Sequence, residues 1–229
     1  MTNTPIRPPI KSFGRQQGRL TEGQRKALES LWEQHVLPND LGLLDWRVIF
    51  GRPADTILEI GFGMGHSLIT TAQNHPEINF LGIEVYRPGI GTLLTQLHNL
   101  HLTNVRVLCA DAKVALADCV HDASLAGIHI FFPDPWPKKR HHKRRLIQPD
   151  FIELLTHKLK SGGYLHLATD WEDYAQHMLA VLSAANHLIN AEDNGQLAIS
   201  HPERPATKYE QRGIRLGHEV WDFKFYKQN

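Results

Sequence analysis

Four carboxylates in this chain follow apolar runs, where a parallel sheet would hand them to one edge. Glu59 lies in "LEIGFGMG", Glu84 in "FLGIEVYR", Asp111 in "VLCADA" and Asp134 in "FFPDPWPKKRHHKRR". The first run is followed by Gly61, Gly63 and Gly65, a turn that permits a tight bend and close approach of a ligand to the backbone. Glu84 stands 19 residues beyond Gly65, at the end of the second run, where an acid can accept both hydroxyls of a ribose. Asp111, after the third run, can accept from an adenine amino group. Glu59 precedes the glycine turn, near where a cationic amino-acid portion would lie.

The glycine spacing is G-x-G-x-G, one residue shorter at its third glycine than the dinucleotide fingerprint G-x-G-x-x-G. That disfavours NAD. A ligand with a ribose, an adenine and an ammonium group but no pyrophosphate, namely S-adenosylmethionine, fits the shorter turn. Read alone, each feature has a purely structural alternative: glycines also end strands, and Asp111 stands equally well as a helix cap.

Asp134 sits in a different setting. Pro133 and Pro135 flank it and forbid helix at Pro133 and Asp134, so the side chain is presented rather than packed. Phe132 or Trp136 beside it can stack on a flat base. From Lys138 to Arg145 there are six Lys or Arg and two His, with no acid, and such a run can neutralise the phosphates that accompany a base. Of the chain's 25 basic residues these six leave 19 against 24 acidic, so the positive field is local. A charge run is ordinarily a solvated face; its place beside a cofactor pocket is what favours a polyanion instead.

These residues need a scaffold that delivers strand ends to one edge. Apolar runs "TILEIG", "NFLGIEV", "VRVLCAD", "GIHIFF", "GYLHLAT" and "WDFKFY" read as strands. Helical patterns near residues 66–75, 88–100, 112–119, 149–160 and 171–185 alternate with them. The expectation is an α/β fold, a mostly parallel, doubly wound sheet with ligands at the strands' carboxyl ends. Thr21 and Gln24 form a capping-box signature that opens a first helix through "TEGQRKALESLWEQHVL". Residues 1–20 carry Arg7, Lys11, Arg15 and Arg19 without an acid, among Pro8, Pro9, Gly14 and Gly18, and read as a flexible basic arm ahead of one domain spanning 21–229.

An apolar content of 41% with no run near the roughly 18 residues of a membrane span indicates a soluble chain without membrane association. Nothing in the first 20 residues resembles a secretion signal, and Cys109 and Cys119 in apparent core segments suit a reducing cytoplasm. Fifteen histidines form no ligand pattern, so no metal is expected.

Taken in order, "LEIGFGMG", "GIEVYRPG", "FFPDPWPKKRHHKRR", "LATDWEDY" and "TKYEQRG" resemble the bacterial tRNA (guanine-N7-)-methyltransferase family over nearly the whole chain. The proline-bounded and "TKYE" segments are its most specific marks. The resemblance implies a class I S-adenosylmethionine-dependent, Rossmann-like fold and a guanine in the tRNA variable loop as target. It implies that Glu59, Glu84, Asp111 and Asp134 line the cofactor and that Asp134 is catalytic. It further implies that Lys138, Asp170, Thr207, Lys208, Tyr209 and Glu210 meet the substrate, and that Arg140, His141, His142, Lys143, Arg144 and Arg145 contact RNA. Tyr209 departs from the family's more usual Phe, which leaves stacking intact.

Three other readings stand beside it. The Pro-Asp-Pro-Trp turn superficially resembles the Asp-Pro-Pro-Tyr turn of base-amino methyltransferases, and mapping the methyl group on RNA separates the two. A non-catalytic RNA-binding module would lack cofactor affinity. An NAD-dependent oxidoreductase is disfavoured by the glycine spacing. Whether the chain is a monomer or a homodimer is not encoded in these motifs.

Overall fold

The first helical stretch is broken into two. Thr21 caps α1 (Glu22–Ser30) through the anticipated reciprocal bonds with Gln24, but Leu31 interrupts the run before α2 (Trp32–His35). Val36 then turns extended, and Val36–Leu37 forms β1, pairing in parallel with Val107 and Leu108. The β-branched Val36 is better buried on a sheet than added to an exposed helix. The computed structural model describes residues 18–38, 40, 42–191, 198–199, 205, 210 and 219–228. The basic arm expected at 1–20 falls almost wholly outside them.

Beyond the short α3 (Trp46–Phe50), strand and helix alternate as the apolar pattern requires. They run β2 (Thr56–Ile60), α4 (His66–Asn74), β3 (Asn79–Ile83), α5 (Arg87–Asn99), β4 (Val105–Leu108), α6 (Ala112–Cys119) and β5 (Leu125–Phe131). A 3₁₀ segment, Lys139–Arg144, precedes α7 (Pro149–Lys158), β6 (Leu159–Thr169), α8 (Glu172–Ser183), β7 (Leu188–Asn190), β8 (Ala198–Ile199) and β9 (Trp221–Lys227).

Among the described residues these strands form one sheet in the order β1-β4-β3-β2-β5-β6-β9-β7, with β8 also on β9. All pairings from β1 to β6 are parallel, and β9 enters antiparallel beside β6, Leu167 opposite Phe223. The order reverses between β2 and β5, the switch point at which such sheets hold ligands.

Two apolar clusters cover the two faces. One joins α6, α7 and α8 through Leu116, Phe151, Leu155, Tyr174 and Met178 to Leu58, Leu81, Ile130 and Leu167. The other joins α1, α4 and α5 through Leu28, Leu68, Ile90, Leu93 and Leu97 to Phe80, Val105 and Val107. Neighbours along one strand, such as Leu58 and Ile57, divide between them. That alternation makes the sheet doubly wound.

Candidate active site

A cleft of about 190 Å³ opens at the carboxyl ends of β2, β3 and β5. Gly61, Glu84, Val85, Ala110, Phe132, Pro133 and Asp134 are among its lining residues, so four of the sequence motifs meet there.

The three glycines do different work. Gly61 and Gly63 have φ of +73° and +56°, and a Cβ on either would meet no atom within 4 Å, so bare backbone faces open space. Gly65, at φ +80°, opens α4, and a Cβ there would lie 2.7 Å from the Leu93 side chain. Its role is packing of helix on helix. Gly89, in the first turn of α5, was not singled out from sequence: a Cβ at this position would sit 2.0 Å from the carbonyl oxygen of Gly63. The glycine turn therefore rests directly on α5, a closeness that only the fold reveals.

Glu84 holds the turn from the other side. Its Oε2 accepts from the Gly63 amide at 2.8 Å, and Oε1 accepts from Val85 N at 2.7 Å and Tyr86 N at 2.9 Å. These three donors leave about one of the carboxylate's roughly four acceptor sites, on Oε2, so the group can still take a ribose hydroxyl while its orientation is fixed. Asp111 caps α6, Oδ1 accepting from Lys113 N at 2.9 Å and Val114 N at 3.4 Å. The cap uses one oxygen, so capping and ligand binding do not exclude each other at this residue. Glu59 is 3% exposed, inside β2 beneath the glycine turn, and is not among the cleft-lining residues. With bare glycine backbone, an oriented acid after β3 and a second acid after β4, these residues fit an adenosine-type cofactor.

Asp134 is exposed on a strained turn. Phe132 and Trp136, each directly before a proline, have φ of +52° and +46°. Non-glycine residues in this left-handed region cost roughly 1–3 kcal/mol each and persist only where surrounding contacts enforce them. The turn begins where the Phe132 amide donates to Ala168 of β6 at 2.8 Å, which brings it alongside the β6–α8 connection carrying Asp170.

The basic run divides on inspection. Lys138, Lys139, Arg140, Lys143 and Arg144 are exposed, and the Arg144 guanidinium lies 4.9 Å from the Trp136 ring centroid, with His141 edge-on to the same ring at 5.9 Å. His142 is half-buried, 3.2 Å from the Arg145 guanidinium. Arg145 departs from the expectation of a phosphate contact: its side chain is 2% exposed. Its Nε donates to the Pro135 carbonyl at 3.0 Å, its Nη2 pairs with Asp173, and the guanidinium lies 4.8 Å from the Tyr174 ring. The pair also holds the Asp173 carboxyl below its usual range. Burial pushes the Tyr174 hydroxyl up, out of reach of ionisation, and it accepts from Ile147 N at 3.1 Å. Asp173 and Tyr174, within "LATDWEDY", were not identified as supporting residues; nothing in a linear motif says which of its acids grips a distant arginine.

Asp170 lies beside Trp171, Asp173 and Trp221 in a separate shallow depression at the same sheet edge. Of Thr207–Glu210, only Glu210 is within the described residues, where it is buried; Thr207, Lys208 and Tyr209 lie outside them. Among the described residues no group of side chains could hold a metal ion, and no helix is long and apolar enough to cross a membrane.

Comparison with known proteins bears on the family and the fold. Residues 53–223 match the family model described as "Putative methyltransferase". The chain is 53% identical over 216 residues to the tRNA (guanine-N(7)-)-methyltransferase of Pseudoalteromonas atlantica, covering 94% of this chain and 90% of that one. The same-named protein of Thiobacillus denitrificans is 53% identical over 223 residues, 97% of each chain. In fold, the chain is similar to the 16S rRNA methyltransferase KamB, with a TM-score of 0.59 at 13% identity over 82% of this chain and 95% of that one. It is likewise similar to a SAM-dependent O-methyltransferase of Thermotoga maritima, with a TM-score of 0.52 at 15% identity over 80% and 62%. The glycine turn resting on α5, the acids at successive strand ends and the proline-bounded Asp134 thus stand in a chain that belongs to the tRNA (guanine-N(7)-)-methyltransferase family.

Proposed function

We propose that this protein transfers a methyl group from S-adenosylmethionine to N7 of a guanine in the variable loop of tRNA. The observation that carries the reading is the meeting of Gly61, Glu84 and Asp134 in one cleft at the sheet's switch point, beside an exposed basic run. Bound there, S-adenosylmethionine supplies an electrophilic methyl group on a sulfonium.

Glu84, Gly61 and Gly63 would hold the ribose and the chain of the cofactor, Asp111 the adenine, and Glu59 would act from beneath the turn. Guanine N7 is a lone pair without a proton, so the protein's task is alignment rather than base catalysis. Good alignment of the two reacting atoms can supply roughly 7–11 kcal/mol. Asp134 would accept from guanine N1–H and the exocyclic amino group, which favours guanine over adenine and offsets the positive charge the base acquires. Trp136 and Phe132 offer flat surfaces for a base. Lys138 and Asp170 stand at the edge where the substrate would arrive, and the segment Thr207–Glu210 joins them in the reading carried over from the family.

Lys138, Arg140, Lys143 and Arg144, with His141 and His142 beside them, would meet tRNA phosphates. The basic arm of residues 1–20 adds charge ahead of the domain beginning at residue 21. The same reading puts the enzyme in the cytoplasm, whose reducing conditions suit Cys109 and Cys119 within core segments.

The test is incubation with labelled S-adenosylmethionine and total tRNA, followed by nucleoside identification. Label in 7-methylguanosine is the expected outcome; label on an exocyclic amine, or none, overturns the reading.

A further inference from the structure

We propose that Arg145 is a positioning residue that locks the Pro133–Trp136 turn to α8, and is not one of the tRNA phosphate contacts. This rests on the methyltransferase reading above, because the turn matters through Asp134.

The geometry separates Arg145 from the rest of its run. A guanidinium buried at 2% side-chain exposure has no face left for a phosphate, whereas Lys143 and Arg144 immediately before it are exposed. Its Nε donates to the Pro135 carbonyl at 3.0 Å and its Nη2 to the Asp173 carboxylate, with the Tyr174 ring 4.8 Å from the guanidinium. The planar fork matters. It reaches two acceptors on two elements at once, which a single ammonium cannot do.

What it holds is the part of the site least able to hold itself. The turn carries two left-handed, pre-proline residues, Phe132 and Trp136, and its Pro135 carbonyl is the atom Arg145 grips. The residues following Arg145 are tied to the same helix, since Ile147 N donates to the Tyr174 hydroxyl at 3.1 Å and His177 Nε2 donates to Ile147 O at 2.7 Å. Three residues of α8, Asp173, Tyr174 and His177, thus fix both the turn and the segment after the basic run. Asp134 and Asp170, on neighbouring strand ends, become parts of one rigid unit.

The experiment compares Arg145→Lys, Arg145→Gln, Asp173→Asn and, as a surface control, Arg144→Gln, all in the full chain. Arg145→Lys should lower the single-turnover methylation rate at saturating tRNA and cofactor by about 100-fold, the cost of a misplacement near 1 Å. Its affinity for tRNA should stay within about twofold of the parent. Adding Asp173→Asn to Arg145→Lys should cost little more, because both break the same brace. In Arg145→Gln the salt dependence of tRNA binding should keep the parental slope, whereas Arg144→Gln should lose about 0.7–0.9 from it. Equal flattening in Arg145→Gln and Arg144→Gln would make Arg145 a phosphate contact and overturn the proposal. So would a parental rate in Arg145→Lys, including one accompanied by a lowered melting temperature, which would leave a role in stability alone. Should Arg145→Gln fail to fold, Arg145→Lys decides by its rate. Should the parent methylate no tRNA, the methyltransferase reading fails by itself, and the salt slopes still decide whether Arg145 touches phosphate.

Discussion

The Glu84 carboxylate and the Gly63 amide are joined by a hydrogen bond of 2.8 Å that ties the end of β3 to the glycine turn after β2. One acid thereby shapes the turn and offers acceptors to whatever lies on it. Glu84→Ala should weaken S-adenosylmethionine binding by about 1–3 kcal/mol, since the turn amides and the ribose hydroxyls lose an acceptor together. Calorimetry reads this directly. Unchanged cofactor affinity would remove Glu84 from the site, and tRNA affinity should be little altered.

Gly89→Ala tests the turn from behind. A methyl group there would sit 2.0 Å from the Gly63 carbonyl oxygen, too close for any atom, so the glycine turn or α5 has to shift. Cofactor affinity should fall by at least tenfold while tRNA binding in the absence of cofactor is retained. Parental cofactor affinity in a folded Gly89→Ala protein would show that the turn moves without consequence.

Asp134→Asn keeps the shape of the side chain and removes its charge. The barrier to methyl transfer should rise by roughly 2.7–4 kcal/mol, a 100- to 1,000-fold loss of rate, with tRNA affinity nearly preserved. Raising the pH should not restore the rate, because guanine N7 has no proton to lose. Single-turnover assays from mildly acidic to alkaline pH distinguish the outcomes: a near-parental rate excludes Asp134 from catalysis, and alkaline rescue points to proton abstraction.

Behind the sheet edge, His129 packs against Tyr164, whose hydroxyl is 3.0 Å from its Nε2, and against His166, which pairs with buried Asp222 at 2.9 Å. Burial, and then the neighbouring His166 and Lys224, lower the His129 pKa to about 3. The folded protein therefore refuses a proton that the unfolded chain accepts below about 6.5, so stability is full above that value and falls as the pH drops towards 3. Between pH 7 and pH 5 this one group should cost about 2 kcal/mol. Urea unfolding at the two pH values should show the parent losing about that much more than His129→Gln. Equal losses in both would assign the acid sensitivity to other groups.

How much of this was legible beforehand follows from which interactions are local. Period-two and helical apolar spacing depend on residues near one another in the chain, so β2 to β6, β9 and α4 to α8 stood in the sequence within a few residues of their observed bounds. The acids at strand ends followed, because a parallel sheet sends every strand's carboxyl end to the same edge. The burial of Arg145 did not. Within "KKRHHKRR" its type and spacing match those of Arg144, and only the approach of Asp173 and Tyr174, 28 and 29 positions away, decides that one arginine turns inward while the other faces solvent. The same holds for Gly89, whose need for a missing Cβ exists only because α5 crosses within contact of the Gly63 carbonyl. Periodicity and chain direction were enough to specify the central strands, their winding and the acids at their edge, but not the short outer strands β1, β7 and β8. Which members of each motif line the cleft or face solvent, and which turn inward to hold the others, depends on contacts between elements far apart in the chain.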